Sequence, residues 1–302
     1  MEMFERIAGI ILPVFITIGV GYGYARFRGE GVKSDMTSVN RVSMGVLCPL
    51  LVFTALAAKD FDVVHNSTLI LAGILISLGS GILAWPVARL FGYDVRTFVP
   101  PMMYNNCGNM GLPLAVLAFG PSGLSPAVAL FMACNLVYFS IGIKIIETGR
   151  NGPRTPFLGF LASPMMLAMM LGMVFSIANI SLPVPLFLAL KTLGEACIPV
   201  MLFALGVRML DITFKSWHIG VLGAIVCPVA GLIVAWMLDG VLTLTADQRA
   251  QMYLFAALPP AVFCFMVAEQ YQQEPEKVAS IVLLGNLAAV GFVPLGLWMG
   301  LQ

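Results

Sequence analysis

The stretch TFVPPMMYNNCGNMGLPLAVLAFG, Thr97 to Gly120, decides how this chain is read. It is apolar and long enough to cross a bilayer, yet its middle is wrong for a continuous helix. Asn105, Asn106 and Asn109 crowd the centre, Gly108 and Gly111 loosen the backbone, and Pro113 removes a helix hydrogen-bond donor. At ~1.5 Å per residue each half spans about half of a ~30 Å hydrocarbon core. Lipid cannot satisfy unwound backbone at that depth, so the break must be buried in protein or line a wet cavity. Secondary transporters build binding sites from broken helices of this kind, and Pro-kinked structural helices share the same outline.

The rest of the chain is equally apolar. Of 302 residues, 60% are hydrophobic and 10% charged, and the mean hydropathy is +0.96. A soluble domain carries about 25% charged residues, so this composition belongs to a polytopic membrane protein. The net charge of +1 offers no basic surface for nucleic acid. The six cysteines lie in apolar segments without a CxxC pair or a histidine at ligand spacing, so no metal site or cofactor is expected. His65 and His218 are isolated and near loops. No ATP-binding P-loop is present, and Gly19-Val-Gly21-Tyr-Gly23 lies inside an apolar span, where small residues suit close helix packing.

Ten apolar segments can be drawn: 7–27, 37–58, 67–91, 97–119, 124–146, 157–178, 186–209, 217–238, 248–270 and 276–299. The expected fold is an all-α membrane protein of ten transmembrane helices, with segments four and nine broken. Residues 1–146 form a first five-helix half, the polar 147–156 a cytoplasmic linker, and 157–302 a second half. Twelve basic residues fall on one side of the ten segments, against Arg6, Lys59, Lys191 and Arg249 on the other. The positive-inside rule then puts the linker in the cytoplasm and both termini outside. Five helices per half makes the halves inverted repeats. Four matches support this: Pro49 with Pro199, Trp85 with Trp236, Leu112-Pro113 with Leu258-Pro259, and Asn135 with Asn286.

The second halves of segments four and nine are expected to begin near Gly111 and Pro260. Each start offers free N–H groups and about half a positive charge, which favours an anion without a buried lysine or arginine. The candidate substrate-binding residues are therefore Asn105, Asn106, Gly108, Asn109, Gly111 and Pro113, together with Pro259, Pro260 and Ala261. The amides suit a carboxylate or a cation's hydration shell, or they cap the broken ends. Gly108 and Gly111 would let a ligand approach the backbone. Glu195, four residues before Pro199, either couples protons or cations or pairs with Lys191. Pro49, Pro199, Asn135 and Asn286 support the site, the two asparagines through interhelical hydrogen bonds. Trp85 and Cys227 are expected to lie away from the crossing.

The runs NMGLPLAV (109–116), GEACIPVMLFALGVRM (194–209) and ALPPAVFCFMVAEQY (257–271), followed by EPEKVASIVLLGNL (274–287), resemble the auxin efflux carrier family over essentially the whole chain. That family includes plant auxin exporters and bacterial carriers assigned to malate or malonate. The resemblance implies inverted five-helix repeats with a fold like sodium–bile acid symporters. It implies a scaffold from helices one, two, six and seven and a transport domain from three to five and eight to ten. It further implies elevator-type movement and a homodimer formed through the scaffold. The long cytoplasmic loop of the plant exporters is absent here. The expected activity is secondary transport of a small organic anion across a bacterial plasma membrane, not enzymatic, with coupling to Na+ or H+ left open. The alternatives are a sodium-coupled symporter of the bile-acid carrier type and a non-transporting membrane sensor.

Overall fold

The computed structural model describes residues 2–29, 36, 38–39, 41–58, 65–148, 163–208 and 216–302. Most of the 147–156 linker and the start of the sixth apolar segment lie outside these residues. All regular structure among the described residues is helical, apart from one isolated antiparallel bridge between Asn105 and Pro260.

A helix, or a pair of half-helices, occupies each apolar segment. They are α1 (Glu2–Arg28), α2 (Ser43–Leu56), α3 (Ser67–Leu90), α4a (Val95–Met103) with α4b (Cys107–Phe119), and α5 (Pro121–Glu147). The second half holds α6 (Pro164–Ile177), α7a (Val184–Glu195) with α7b (Cys197–Arg208), α8 (Trp217–Asp239), α9a (Ala246–Ala256) with α9b (Val262–Gln270), and α10 (Pro275–Gly300). Among the described residues, five stretches are long and apolar enough to cross a membrane: α3, α5, Val184–Val207 across α7a and α7b, α8 and α10.

Helices α1, α2, α6 and α7 pack chiefly on one another, and α3, α4a, α5 and α8 to α10 chiefly on one another. Glycine sets the tightest contact in the first group. A Cβ on Gly21 would sit 2.1 Å from the Phe203 carbonyl oxygen, and one on Gly206 would sit 1.9 Å from that of Ile18. Only glycine lets α1 and α7b approach this closely, which is the packing role expected of Gly21.

In the second group, the two broken helices are pinned at opposite ends of the sequence pattern. The Asp94 carboxylate caps α4a by accepting the Arg96 N–H at 2.9 Å and is closed by the Arg96 guanidinium at 2.6 Å. That hydrogen-bonded guanidinium holds the Asp94 carboxyl below the usual carboxylate range. Gln273 donates to Asp94 at 3.1 Å and to Thr97 at 3.0 Å, and the Thr97 hydroxyl donates to Glu274 at 2.6 Å. The entry of α4a is thus tied to the turn between α9b and α10. At the far end, Arg249 at the start of α9a donates to Asp239 at the end of α8 at 2.6 and 2.8 Å. Thr245 and Gln248 form a capping box on α9a.

Candidate functional site

Segments four and nine both break within the stretches that the sequence marks. After α4a the chain is extended through Tyr104 and Asn105, and after α9a it is extended at Pro259 to Ala261. The two extended pieces cross and pair. Asn106 N–H donates to the Pro259 carbonyl at 2.6 Å, and Ala261 N–H donates to the Tyr104 carbonyl at 2.9 Å. Unwound backbone is thereby satisfied by the other unwound backbone.

Side chains from neighbouring helices complete the crossing. Asn105 donates to the Phe255 carbonyl at 2.5 Å, at the end of α9a. Asn106 donates to Asn286 Oδ1 at 2.9 Å, and Asn286 donates to the Val282 carbonyl at 2.7 Å and the Pro260 carbonyl at 3.4 Å. On the other side, the Tyr104 hydroxyl donates to Asn135 Oδ1 at 2.9 Å, and Asn135 donates to the Phe131 carbonyl at 2.7 Å. Asn135 and Asn286 are both buried and both brace the crossing from flanking helices.

The three central amides divide into two kinds. Asn105 and Asn106 are buried at 8% and 2% exposure and are engaged in the crossing. Asn109 is half-buried and lines a cavity of about 340 Å³. The start of α9b, Val262 and Phe263, shares that wall, with Met266 one turn further on. Ala261 gives α9b no side-chain cap, so the first N–H groups and positive end of this half-helix lie beside Asn109. The opposite walls come from Arg41, Ser43 and Met44 on the α2 side and Met201, Ala204 and Leu205 of α7b.

Several details differ from the sequence expectations. The second half of segment four begins at Cys107, one turn before Gly111. A wide π-type turn, Cys107–Gly111, leads into Leu112, with Gly111 N–H donating to the Asn106 carbonyl at 3.0 Å. Pro113 sits at the second position after that turn, where its missing N–H is accommodated. Leu112-Pro113 is therefore helical while Leu258-Pro259 precedes its half-helix, so this sequence match does not join equivalent positions. The bridge pairs Asn105 with Pro260 instead. Gly111 is buried, and a Cβ there would meet Leu258 at 2.9 Å and Phe255 at 3.0 Å. A Cβ on Gly108 would meet Phe131 at 3.2 Å. Both glycines thus sit in close packing around the crossing. Cys227 is against the crossing: its thiol lies 3.7 Å from the Leu258 carbonyl oxygen. Trp85 is half-exposed with Arg89 over its ring at 5.8 Å.

Pro49 lies in the first turn of the helical stretch Cys48–Leu56, after a π-type turn at Ser43–Leu47, and Pro199 lies in the first turn of α7b. Glu195 ends α7a, half-exposed, with Lys191 at 3.8 Å, and it does not line the cavity. Sequence reasoning missed Tyr104, which both bridges and braces the crossing, and Gly285. A Cβ on Gly285 would fall 2.6 Å from Pro260 Cδ, so this glycine makes room for the proline ring. It also missed Arg41 and Ser43, because a basic residue near a segment end reads as a topology signal alone.

Comparison with known proteins covers the whole arrangement. A family model described as membrane transport protein matches residues 7–156 and 157–299. A Rhizobium meliloti protein named "Putative malonate transporter" is 26% identical, over 95% of this chain and 94% of its own length. An uncharacterized transporter of Methanothermobacter thermautotrophicus is 24% identical over 94% and 95%. Another from Methanocaldococcus jannaschii is 19% identical over 96% and 97%.

Proposed function

This chain belongs to the auxin efflux carrier family of membrane transport proteins, and from that premise we propose that it is a secondary transporter of a small carboxylate. The observation that carries the reading is the cavity joining Asn109 to the uncapped start of α9b. Amide donors and a helix N-terminus favour a carboxylate at a depth where a lone anion would otherwise be excluded. The malonate-named relative accords with an organic anion.

The cavity also suggests the mechanism. It lies between two helix groups that each pack chiefly on themselves, α2 and α7b on one side and α4b and α9b on the other. We read the first group, α1, α2, α6 and α7, as a scaffold that forms a homodimer. The second reads as a transport domain that moves as a body, because the crossing and the Asp94 and Asp239 clamps tie its parts together. Alternating access then follows from sliding one group along the other, an elevator-type movement. Ten spans in two inverted repeats, in a bacterial plasma membrane with both termini outside, complete the proposal. Reagent accessibility of the 147–156 loop on intact cells tests that orientation, which fails if the loop reacts from outside.

The test of function is uptake of labelled malonate and propionate into liposomes holding the purified protein, with and without a sodium gradient and across pH. Saturable uptake is expected, and Asn109→Ala should lower it about tenfold or more while leaving the thermal midpoint in place. Ligand binding by the folded protein without flux would instead make it a sensor. The sodium and pH arms decide the coupling ion.

A further inference from the structure

We infer that Arg41 and Ser43 form a second anion subsite on the α2 wall of the cavity, selecting a short dicarboxylate over a monocarboxylate. The inference rests on the organic-anion reading above and names the substrate class of that same site.

Among the described residues, Arg41 is the single charged side chain lining the cavity, and no carboxylate among them lines it. Four other described cations are paired with carboxylates: Arg96 with Asp94, Arg249 with Asp239, Lys191 with Glu195 and Lys277 with Glu274. Among the described residues Arg41 has no such partner. A guanidinium stays charged at any physiological pH and presents a planar fork that fits a carboxylate.

Ser43 supplies an independent observation. It is 3% exposed, lines the same cavity, and its hydroxyl has no hydrogen-bond partner. A helical hydroxyl ordinarily returns to the carbonyl one turn back, as Thr54 does to Leu50 at 2.8 Å and Thr192 to Leu188 at 2.9 Å. Ser43 instead opens the wide turn Ser43–Leu47 and leaves its hydroxyl unused. A buried hydroxyl without a partner is costly, which points to a partner that arrives with the ligand. Arg41 could simply extend toward lipid headgroups, as basic residues near helix ends do, but that leaves Ser43 unexplained.

The two polar walls sit on different helix groups. A monocarboxylate held at Asn109 and α9b leaves Arg41 and Ser43 without partners. A dicarboxylate engages both, and its methylene spacer meets the apolar surface of Met44 and Met201. Such a substrate would also bridge the two groups across the cavity.

The test is calorimetric titration of the purified full-length protein with chain-matched pairs: malonate against propionate, and succinate against butyrate. The dianion of each pair should bind at least about tenfold more tightly, as loss of a charge-assisted bidentate contact implies. Arg41→Gln should abolish that gap while retaining propionate binding, and Arg41→Lys should restore part of it. Ser43→Ala should weaken malonate binding by about threefold to tenfold without lowering the ligand-free thermal midpoint. Equal affinity of the wild-type protein for the two members of each pair, or an unchanged gap in Arg41→Gln, overturns the subsite. Folded wild-type protein that binds none of the four acids overturns the organic-anion reading itself.

Discussion

The breaks in α4 and α9 meet at one point and solve the same problem with opposite chemistry. Segment four brings donors: the Asn105 and Asn106 side chains and the Asn106 N–H. Segment nine brings mostly acceptors: the carbonyls of Phe255, Leu258, Pro259 and Pro260. Two consecutive prolines explain the asymmetry. Pro259 and Pro260 have no N–H, so the break in segment nine exposes carbonyls without adding donors of its own. Each carbonyl is then met from another segment, Asn105 and Asn106 from α4, Cys227 from α8 and Asn286 from α10. The single backbone donor that segment nine returns to segment four is Ala261 N–H. A break with prolines needs neighbours rich in donors; a break with asparagines supplies them.

The largest disruption of this arrangement should come from Asn286→Ala. That change strips a partner from the Asn106 amide and from the Pro260 carbonyl at once. Both are buried, and an unmet buried group costs about 1–3 kcal/mol. We expect a drop of that size in unfolding free energy, read by denaturation in detergent, together with loss of uptake. Unchanged stability would mean that the crossing does not depend on α10.

Pro260→Ala sharpens the comparison from the other side. It adds an N–H where the proline ring now packs on Gly285, a position that offers no acceptor side chain. It also frees the unfolded chain, and the two effects together should cost about 1–2 kcal/mol. A neutral or stabilising result would show that the prolines are not there for the donors they lack.

The contrast also explains what could be read in the sequence. Apolar length, with Asn, Gly and Pro at half-depth, located both breaks, because lipid leaves unwound backbone few solutions. The same composition could not say which amide faces the cavity. Asn105 and Asn106 are consecutive at the break, yet their side chains reach α9a and α10 respectively. Asn109 lies within a helical turn, and its direction depends on how α4b is rotated, which tertiary packing sets. The wide turn at Cys107–Gly111 shifted that rotation and moved the helix start. Cys227 read as a packing residue because a thiol carries no sequence mark of the carbonyl it meets. Arg41 and Ser43 were hidden for a related reason: the cavity is formed by residues from α2, α4b, α7b and α9b, and no local pattern joins them.

A third break lies at Ala196, between α7a and α7b, and it differs from the other two. No strand-like pairing crosses it, and its polar neighbour Glu195 finds its partner one turn back on the same helix, Lys191 at 3.8 Å. Both side chains are about half exposed, 50% and 43%. Coupling a proton or cation to substrate requires a group whose charge state changes the energy of the loaded site. Glu195 does not line the cavity, and Lys191 already balances its charge. We therefore expect Glu195→Gln to leave the pH profile of uptake unchanged, the smallest effect of the series. The single change strands Lys191, so any fall in expression should be reversed in the double change Glu195→Gln, Lys191→Met, which removes both charges. A pH profile that flattens in both variants would overturn this view. Coupling would then pass through the α7 break, in the helix group that we read as stationary, and the movement of the two groups would have to be assigned the other way round.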